Sequence, residues 1–213
     1  LHAIQDHNYL QIPFFGYANG TLNFLMNKIE NPNEVIKLLI EDKIKLDYLE
    51  TTSIKVIVKT RHSEKFMGHA VNEVILGTHI MGYHNFLLSS EDNSFDNFEI
   101  KGSGISICTD LGSTGYNFGL GGSVLPIGSN LWSVNGIVCN RFLEDIINMQ
   151  TLEIKLSETS RSADLFLDGV KKEINLNKDS SVVLSKGEII RIAFLDKQDF
   201  FKRRLEIISR YRK

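Results

Sequence analysis

Gly102-Ser-Gly-Ile-Ser-Ile-Cys-Thr-Asp-Leu-Gly-Ser-Thr-Gly-Tyr-Asn-Phe-Gly-Leu-Gly-Gly122 is the stretch on which the reading of this chain turns. Half of the chain's 16 glycines fall between Gly102 and Gly128, just after a short apolar strand signal at Ile105 and Ile107. Glycine loses more conformational freedom on folding than any other residue, so such a cluster requires a physical reason. One reason is main chain that must come close to a ligand or to other main chain. The small residues around the glycines leave Ser106, Thr109, Ser113 and Thr114 free to offer hydrogen bonds to a polar ligand. The alternative is a set of glycine-rich turns in a β domain.

Outward from this stretch, the texture is β-rich. Ile54–Lys59 and Ala70–Leu76 each read as a strand, and Leu152–Ser157 alternates with period two. Asp164–Val170 reads as a hairpin because Asp168-Gly169 is a favoured two-residue turn. Val182–Phe194 predicts a second hairpin around Lys186-Gly187. Short strands with regular turn signals predict a sandwich-like β domain.

Before about Lys45 the pattern is α/β. Ile12-Pro-Phe-Phe-Gly16 predicts a short buried strand, followed by the loop Tyr17–Thr21. Asn31 can cap a helix, Pro32 suits its first position, and Glu34 stands three residues after the cap. Val35, Ile36, Leu38 and Leu39 then predict a core-facing stripe up to about Glu41. From Asp199 the chain is helical again, with Phe201, Leu205 and Ile208 as its apolar stripe. Lys202, Arg203, Arg204, Arg210, Arg212 and Lys213 read as a solvated face, with a phosphate-facing role as the alternative. This tail is expected to pack back on the opening segment. The resulting division is residues 1–45, 46–195 and 196–213.

The formal charge is −2, which gives no basic excess for nucleic acid as a bulk partner. No apolar run approaches the roughly 18 residues that span a bilayer, so no membrane partner is expected. Two cysteines, Cys108 and Cys139, make no disulfide framework and fit a reducing, cytoplasmic compartment. Cys108 reads as a small core residue, and His79 and His84 lack the supporting pattern of a metal site. Leu1 opens in mid-pattern without an initiator Met, so a segment is expected upstream of it.

Four blocks, in order, resemble the NAD kinase family. Gly16-Tyr-Ala-Asn-Gly-Thr-Leu-Asn-Phe24 is similar to its G-x-N-x-G-x-L-G-F loop, and Val71-Asn72-Glu73-Val74 to its L-N-E-V/I. Lys101-Gly-Ser-Gly104 resembles R-G-D-G. Thr109–Tyr116 with Gly119–Gly122 resembles T-P-T-G-S-T-A-Y-S-x-S-A-G-G. Phe201-Lys-Arg-Arg-Leu205 is similar to the F-x-x-R-L of the family's last helix. Taken together, the blocks are specific; any one alone is weak.

The resemblance implies an α+β fold: part of a Rossmann-like α/β domain, then a β-sandwich-like domain, with the last helix returning to the first part. It implies phosphoryl transfer from ATP, or polyphosphate, to the 2′-hydroxyl of the adenosine ribose of NAD. A divalent ion, Mg²⁺, would accompany ATP, and a homodimer or homotetramer is implied. Asn72 and Glu73 match the pair that meets the adenosine and its ribose, an amide for the adenine edge and a carboxylate for ribose hydroxyls. Thr114, Gly115 and Tyr116 match the loop lining the nucleotide, and Phe24 a pocket aromatic for which a core phenylalanine is the alternative. Gly119 stands where the family often has Ser. Ser103 replaces the family's aspartate at the nicotinamide end.

Asp110-Leu111 replaces Pro-Thr, and Gly115 replaces Ala, loosening the loop. The family's G-G-D-G, which carries the catalytic aspartate, does not occur in the chain and is expected upstream of Leu1; no catalytic residue is assigned here. Two other readings stand beside the kinase: a catalytically impaired, kinase-like nucleotide-binding protein, and a lipid kinase of the related diacylglycerol kinase class.

Overall fold

The computed structural model describes residues 1–7, 10–18, 24–77, 82–141, 143–157 and 162–211. The chain opens with helix α1 (His2–His7), strand β1 (Phe14–Phe15) and helix α2 (Pro32–Ile40). Strands β2 (Asp47–Thr60), β3 (Glu64–Ala70), β4 (Glu73–Gly77), β5 (His84–Ser90) and β6 (Phe98–Cys108) follow. One 3-10 turn (Gly112–Thr114) and the short helix α3 (Tyr116–Gly119) lead into β7 (Leu131–Cys139) and β8 (Glu144–Asn148). The chain continues through β9 (Leu152–Leu156), β10 (Ala163–Leu167), β11 (Val170–Leu176) and β12 (Ser180–Phe194), and ends in helix α4 (Phe200–Tyr211). The fold is mostly strand with helical ends, the α+β class that the sequence predicts.

Among the described residues the strands join in one hydrogen-bonded system, in the order β11-β10-β4-β6-β5-β9-β12-β2-β3. It forks at β6. One edge of β6 takes β5 along Phe98–Gly102 and β4 along Gly104–Cys108, while its other edge takes β7. The fork folds the sheet over a core that includes Trp132, Phe86, Ile105 and Leu165, each fully buried. Gly104 sits at the branch because a side chain there would meet the Leu76 carbonyl oxygen at 2.6 Å. Burial of each such large side chain contributes about 1.5–3 kcal/mol, which makes this cluster the main support of the β region.

Two strand readings are corrected. Val182–Phe194 is not a hairpin but part of β12, which stays antiparallel to β2 from Ser180↔Thr60 to Phe194↔Asp47. The Lys186-Gly187 signal marks a bulge between Lys186 and Ile189. There the Ser53 hydroxyl accepts the Glu188 amide at 3.0 Å, satisfying the donor that the ladder loses. Ala70–Leu76 is likewise not continuous: β3 ends at Ala70 and β4 begins at Glu73, with Val71 and Asn72 forming the break. The Asp168-Gly169 hairpin is present, with both residues at positive φ (49° and 81°), as a tight turn of this hand demands.

A second apolar cluster joins the ends of the chain to the sheet. It contains Ile4, Leu49, Val71, Leu111, Ile190, Ile192 and Phe194, with Phe14, Phe24 and Phe200 packed on it. The predicted strand at Ile12–Gly16 shrinks to Phe14–Phe15, parallel to Ile192–Ala193, and Ile12 is exposed. Helix α2 starts as expected, the Asn31 side chain accepting from the Glu34 amide at 3.4 Å. Its stripe does not enter the core: Ile36 is exposed and no residue of the helix is fully buried.

Helix α4 does return to the opening segment. Phe200 meets the Phe24 ring edge-on, and Arg203 Nη1 donates to the Phe24 carbonyl at 2.7 Å. Its faces depart from the prediction at two positions: Leu205 is half exposed, whereas Arg204 is buried. An arginine with a hydrogen-bond partner inside the protein can take a place on the inner face. The side chains of Phe201 and Arg210, and residues 212–213, lie outside the described residues. No helix among the described residues is long and apolar enough to cross a membrane.

Candidate functional site

The break between β3 and β4 is where the distant sequence blocks meet. Val71 and Asn72 leave the ladder there, and their main-chain groups find partners elsewhere. The Thr109 amide donates to the Asn72 carbonyl at 2.8 Å, and the Thr109 hydroxyl donates to the Val71 carbonyl at 2.7 Å. The same hydroxyl accepts the Gly112 amide at 3.2 Å. Gly112 then lies flat against Asn72: a Cβ on it would be no farther than 2.8 Å from the carbonyl oxygen, carbonyl carbon and Cα of Asn72. Only glycine allows that approach, which explains the first glycine of the Gly-Ser-Thr-Gly run.

On the opposite side the turn between β10 and β11 closes on the same break. Asp168 Oδ2 accepts the Val71 amide at 2.8 Å, and Oδ1 accepts the Asn72 and Glu73 amides at 2.7 and 3.0 Å. Oδ2 also accepts from Gln5 Nε2 at 2.6 Å, bringing helix α1 to the site. The Asp168 amide donates to the Glu73 carbonyl at 2.9 Å. Burial, and then the Asp168 carboxylate, push the Glu73 carboxyl up to about 7. Glu73 can therefore accept a hydrogen bond or donate one near neutral pH.

The loop after β6 is held from within. Asp110 is buried, its Oδ1 accepting from the Thr51 hydroxyl at 2.9 Å and its Oδ2 from the Gly128 amide at 2.6 Å. Arg204 Nη2 donates to the Asp110 carbonyl, so α4 reaches this loop directly. Ser113 donates to the Asp110 carbonyl at 2.8 Å and accepts the Leu125 amide at 3.1 Å. Asn117, fully buried, donates to the Ser113 and Ser123 carbonyls at 3.0 Å each and accepts from Asn135 at 2.5 Å. Asp110 thus does by hydrogen bonding what proline does by a fixed φ. The expectation of a looser loop is corrected to that extent.

The residues singled out in the sequence fall into two groups. Asn72, Glu73, Thr114, Gly115, Tyr116 and Gly119 are brought together. Gly115 is exposed and faces Glu73: a Cβ there would stand 4.0 Å from Glu73 Oε2. Thr114 is nearly buried, the Tyr116 ring is half exposed, and a Cβ on Gly119 would meet nothing within 4 Å.

Ser103 and Phe24 are not brought to this point. On β6 Ser103 lies five residues before Cys108, the partner of Glu73, a separation of about 17 Å along the strand. Phe24 is partly buried in the second apolar cluster, with its ring facing Phe200 and the Arg204 guanidinium 5.8 Å from it. Asn19–Asn23, which carry most of the first motif block, and His79 lie outside the described residues.

Two contributors escaped the sequence reading: Asp168, read only as a turn residue, and Asp110, read only as a lost proline. Arg204 matches the arginine of the last-helix motif, but its burial against the loop was not expected. Cys108 is the small core residue expected, fully buried with its thiol pushed up to about 12. Among the described residues, no group of three or more His, Cys, Asp and Glu could hold a metal ion.

The two arms of the junction offer an amide and a titratable carboxyl at Asn72-Glu73, and a half-exposed aromatic ring and bare main chain at Gly115-Tyr116. Such a surface suits a flat, polar, hydroxyl-bearing ligand.

No protein-family model matches the chain. Over 191 residues it is 27% identical to the NAD kinase of Finegoldia magna, covering 88% of this chain and 65% of that protein. The NAD kinase of Rickettsia prowazekii is 24% identical over 204 residues, covering 91% of this chain and 75% of that protein. That of Cereibacter sphaeroides is 30% identical over 137 residues, 64% of this chain and 52% of that protein. The chain therefore spans about half to three quarters of the length of these relatives.

Two solved structures share the fold. Yeast NADH kinase complexed with NADH superposes with a TM-score of 0.76 at 20% identity, over 93% of this chain and 59% of that one. The NAD kinase from Archaeoglobus fulgidus in complex with ATP superposes with a TM-score of 0.66 at 19% identity, over 92% and 74%.

Proposed function

From a chain that belongs to the NAD kinase family, we propose that its site holds the adenosine end of NAD for transfer of a phosphoryl group from ATP, or polyphosphate, to the 2′-hydroxyl of the ribose. The observation that carries this reading is the junction itself. Asn72-Glu73 and Gly112–Tyr116, about forty positions apart, are locked together with Gly112 against the Asn72 main chain. In this proposal Asn72 meets the adenine edge and Glu73 engages ribose hydroxyls. Thr114, Gly115 and Tyr116 line the nucleotide, and the open space at Gly119 leaves room beside it.

Phosphoryl transfer depends mainly on positioning and charge stabilisation. This chain's part is the first of these. It contains no Gly-Gly-Asp-Gly, so no group among its 213 residues is assigned to the acceptor proton. The described residues form no ligand set for a resident metal, and the divalent ion is taken as part of the ATP substrate. A cytoplasmic homodimer or homotetramer is proposed on family grounds alone.

One observation favours a second reading, a kinase-like protein that binds nucleotide without transferring phosphate: Ser103 stands where the family has an acceptor carboxylate. The two are separated by assaying NADP formation from NAD by the full-length protein, with ATP and with polyphosphate as donors. Turnover is expected, with NAD affinity weakened in Asn72→Ala. Tight NAD binding without turnover would favour the second reading, and absence of NAD binding would remove both.

A further inference from the structure

We propose that Asp168 is a positioning residue for the nucleotide-binding face, setting the orientation of Asn72 and Glu73 from a hairpin turn nearly a hundred residues away in sequence. The inference rests on the reading of Asn72 and Glu73 as ligand-holding residues.

Turn aspartates ordinarily bond within their own turn. The Asp168 carboxylate instead accepts three successive amides of another segment, those of Val71, Asn72 and Glu73, together with the Gln5 side chain. The chain leaves β3 at Ala70 and enters β4 at Glu73, so this one carboxylate spans the break and the first residue of the next strand. Bonds to an ionised acceptor are roughly twice as strong as neutral ones, so a single side chain here fixes the path of the break. Gly112 presses on the same main chain from the other side. Asn72 and Glu73 are thus held between a carboxylate and a glycine, with their side chains left for other work.

The division of labour between the two oxygens makes the inference testable. Oδ1 serves Asn72 and Glu73, whereas Oδ2 serves Val71 and Gln5. Asp168→Asn keeps the turn, since Asn-Gly also suits it. It retains an oxygen for Asn72 and Glu73 but turns a donor toward Val71 and Gln5. Asp168→Gly also keeps the turn, because glycine adopts positive φ freely, but it removes every acceptor.

The test is NAD binding by calorimetry to the full-length protein and both variants, beside thermal unfolding. Both variants are expected to unfold at lower temperature. The NAD dissociation constant should rise about tenfold or more in Asp168→Gly, yet stay within about threefold of the original in Asp168→Asn, because the first removes every acceptor and the second keeps a neutral amide oxygen for Asn72 and Glu73. Unaltered affinity in a folded Asp168→Gly protein would overturn the inference while leaving the nucleotide-binding reading intact. Should that variant not fold, Asp168→Asn decides through amide exchange: slow exchange at Asn72 and Glu73 together with tenfold weaker NAD binding would overturn it. An original protein that does not bind NAD would remove the reading and the inference together.

Discussion

Gly112 and Asn72 are in main-chain contact so close that no side chain could stand between them. This contact joins the loop after β6 to the break between β3 and β4. Its consequences differ sharply from those of Gly119, where a side chain meets nothing within 4 Å. Gly112→Ala would force the loop off the Asn72 carbonyl and is expected to cost about 2 kcal/mol or more, as overpacking of a rigid contact does. Gly119→Ser meets open space and should change stability by less than about 0.5 kcal/mol. Urea unfolding of the two variants checks both; equal losses would contradict the packing described.

Glu73 makes stability depend on pH. Its carboxyl is raised from 4.5 to about 7, first by burial and then by Asp168, so the folded protein holds this proton more tightly than the unfolded chain. The resulting stabilisation is fully present below about pH 4.5 and is lost as the pH rises toward and through 7, by up to about 3 kcal/mol. Glu73→Gln cannot ionise and escapes that loss. Its stability relative to the original protein should therefore improve between pH 5 and pH 8, measured by denaturant unfolding at both. A constant difference across that range would exclude the raised carboxyl.

Asp110 binds the Thr51 hydroxyl and the Gly128 amide, and both donors are left without an acceptor in Asp110→Ala. Leaving the buried Thr51 hydroxyl unsatisfied costs about 1–3 kcal/mol and losing the bond to the exposed Gly128 about 1 kcal/mol more, so a loss of about 2–4 kcal/mol is expected. Thr51→Val removes only one partner and should cost less, about 1 kcal/mol. Calorimetric unfolding ranks the two. A milder effect of the aspartate substitution would mean that the loop is held mainly by other contacts.

The two thiols should report folding through their reactivity. Burial raises both, Cys108 up to about 12, and Cys139 is the less buried of the pair. The thiolate is the reactive form, so both are protected at neutral pH. With a disulfide reagent at pH 7.5, Cys139 is expected to react first and Cys108 only on unfolding. Fast native-state labelling of Cys108 would contradict its place at the end of β6.

The strand content, the Asp168-Gly169 turn and the Asn31 cap were legible because each depends on residues close in sequence. Motif order also pointed to Asn72, Glu73, Gly115 and Tyr116 as partners. Errors arose where distant packing overrules local pattern. Lys186-Gly187 carries a turn signal, but β2 continues past it and the bulge is stitched to Ser53. Arg204 sits in a basic run but faces inward because Asp110 offers it a carbonyl.

Residue order alone determined the α+β character, the β-rich middle of the chain and the identity of the blocks that meet at the site, since period, turn chemistry and motif spacing are local properties. The tertiary structure decided what each block touches: that Asp168 holds the Asn72-Glu73 amides, that Gly112 lies against Asn72, and that Arg204 is buried. Those contacts join residues from forty to nearly a hundred positions apart, and their geometry is set by how the sheet forks and closes, which no local pattern encodes.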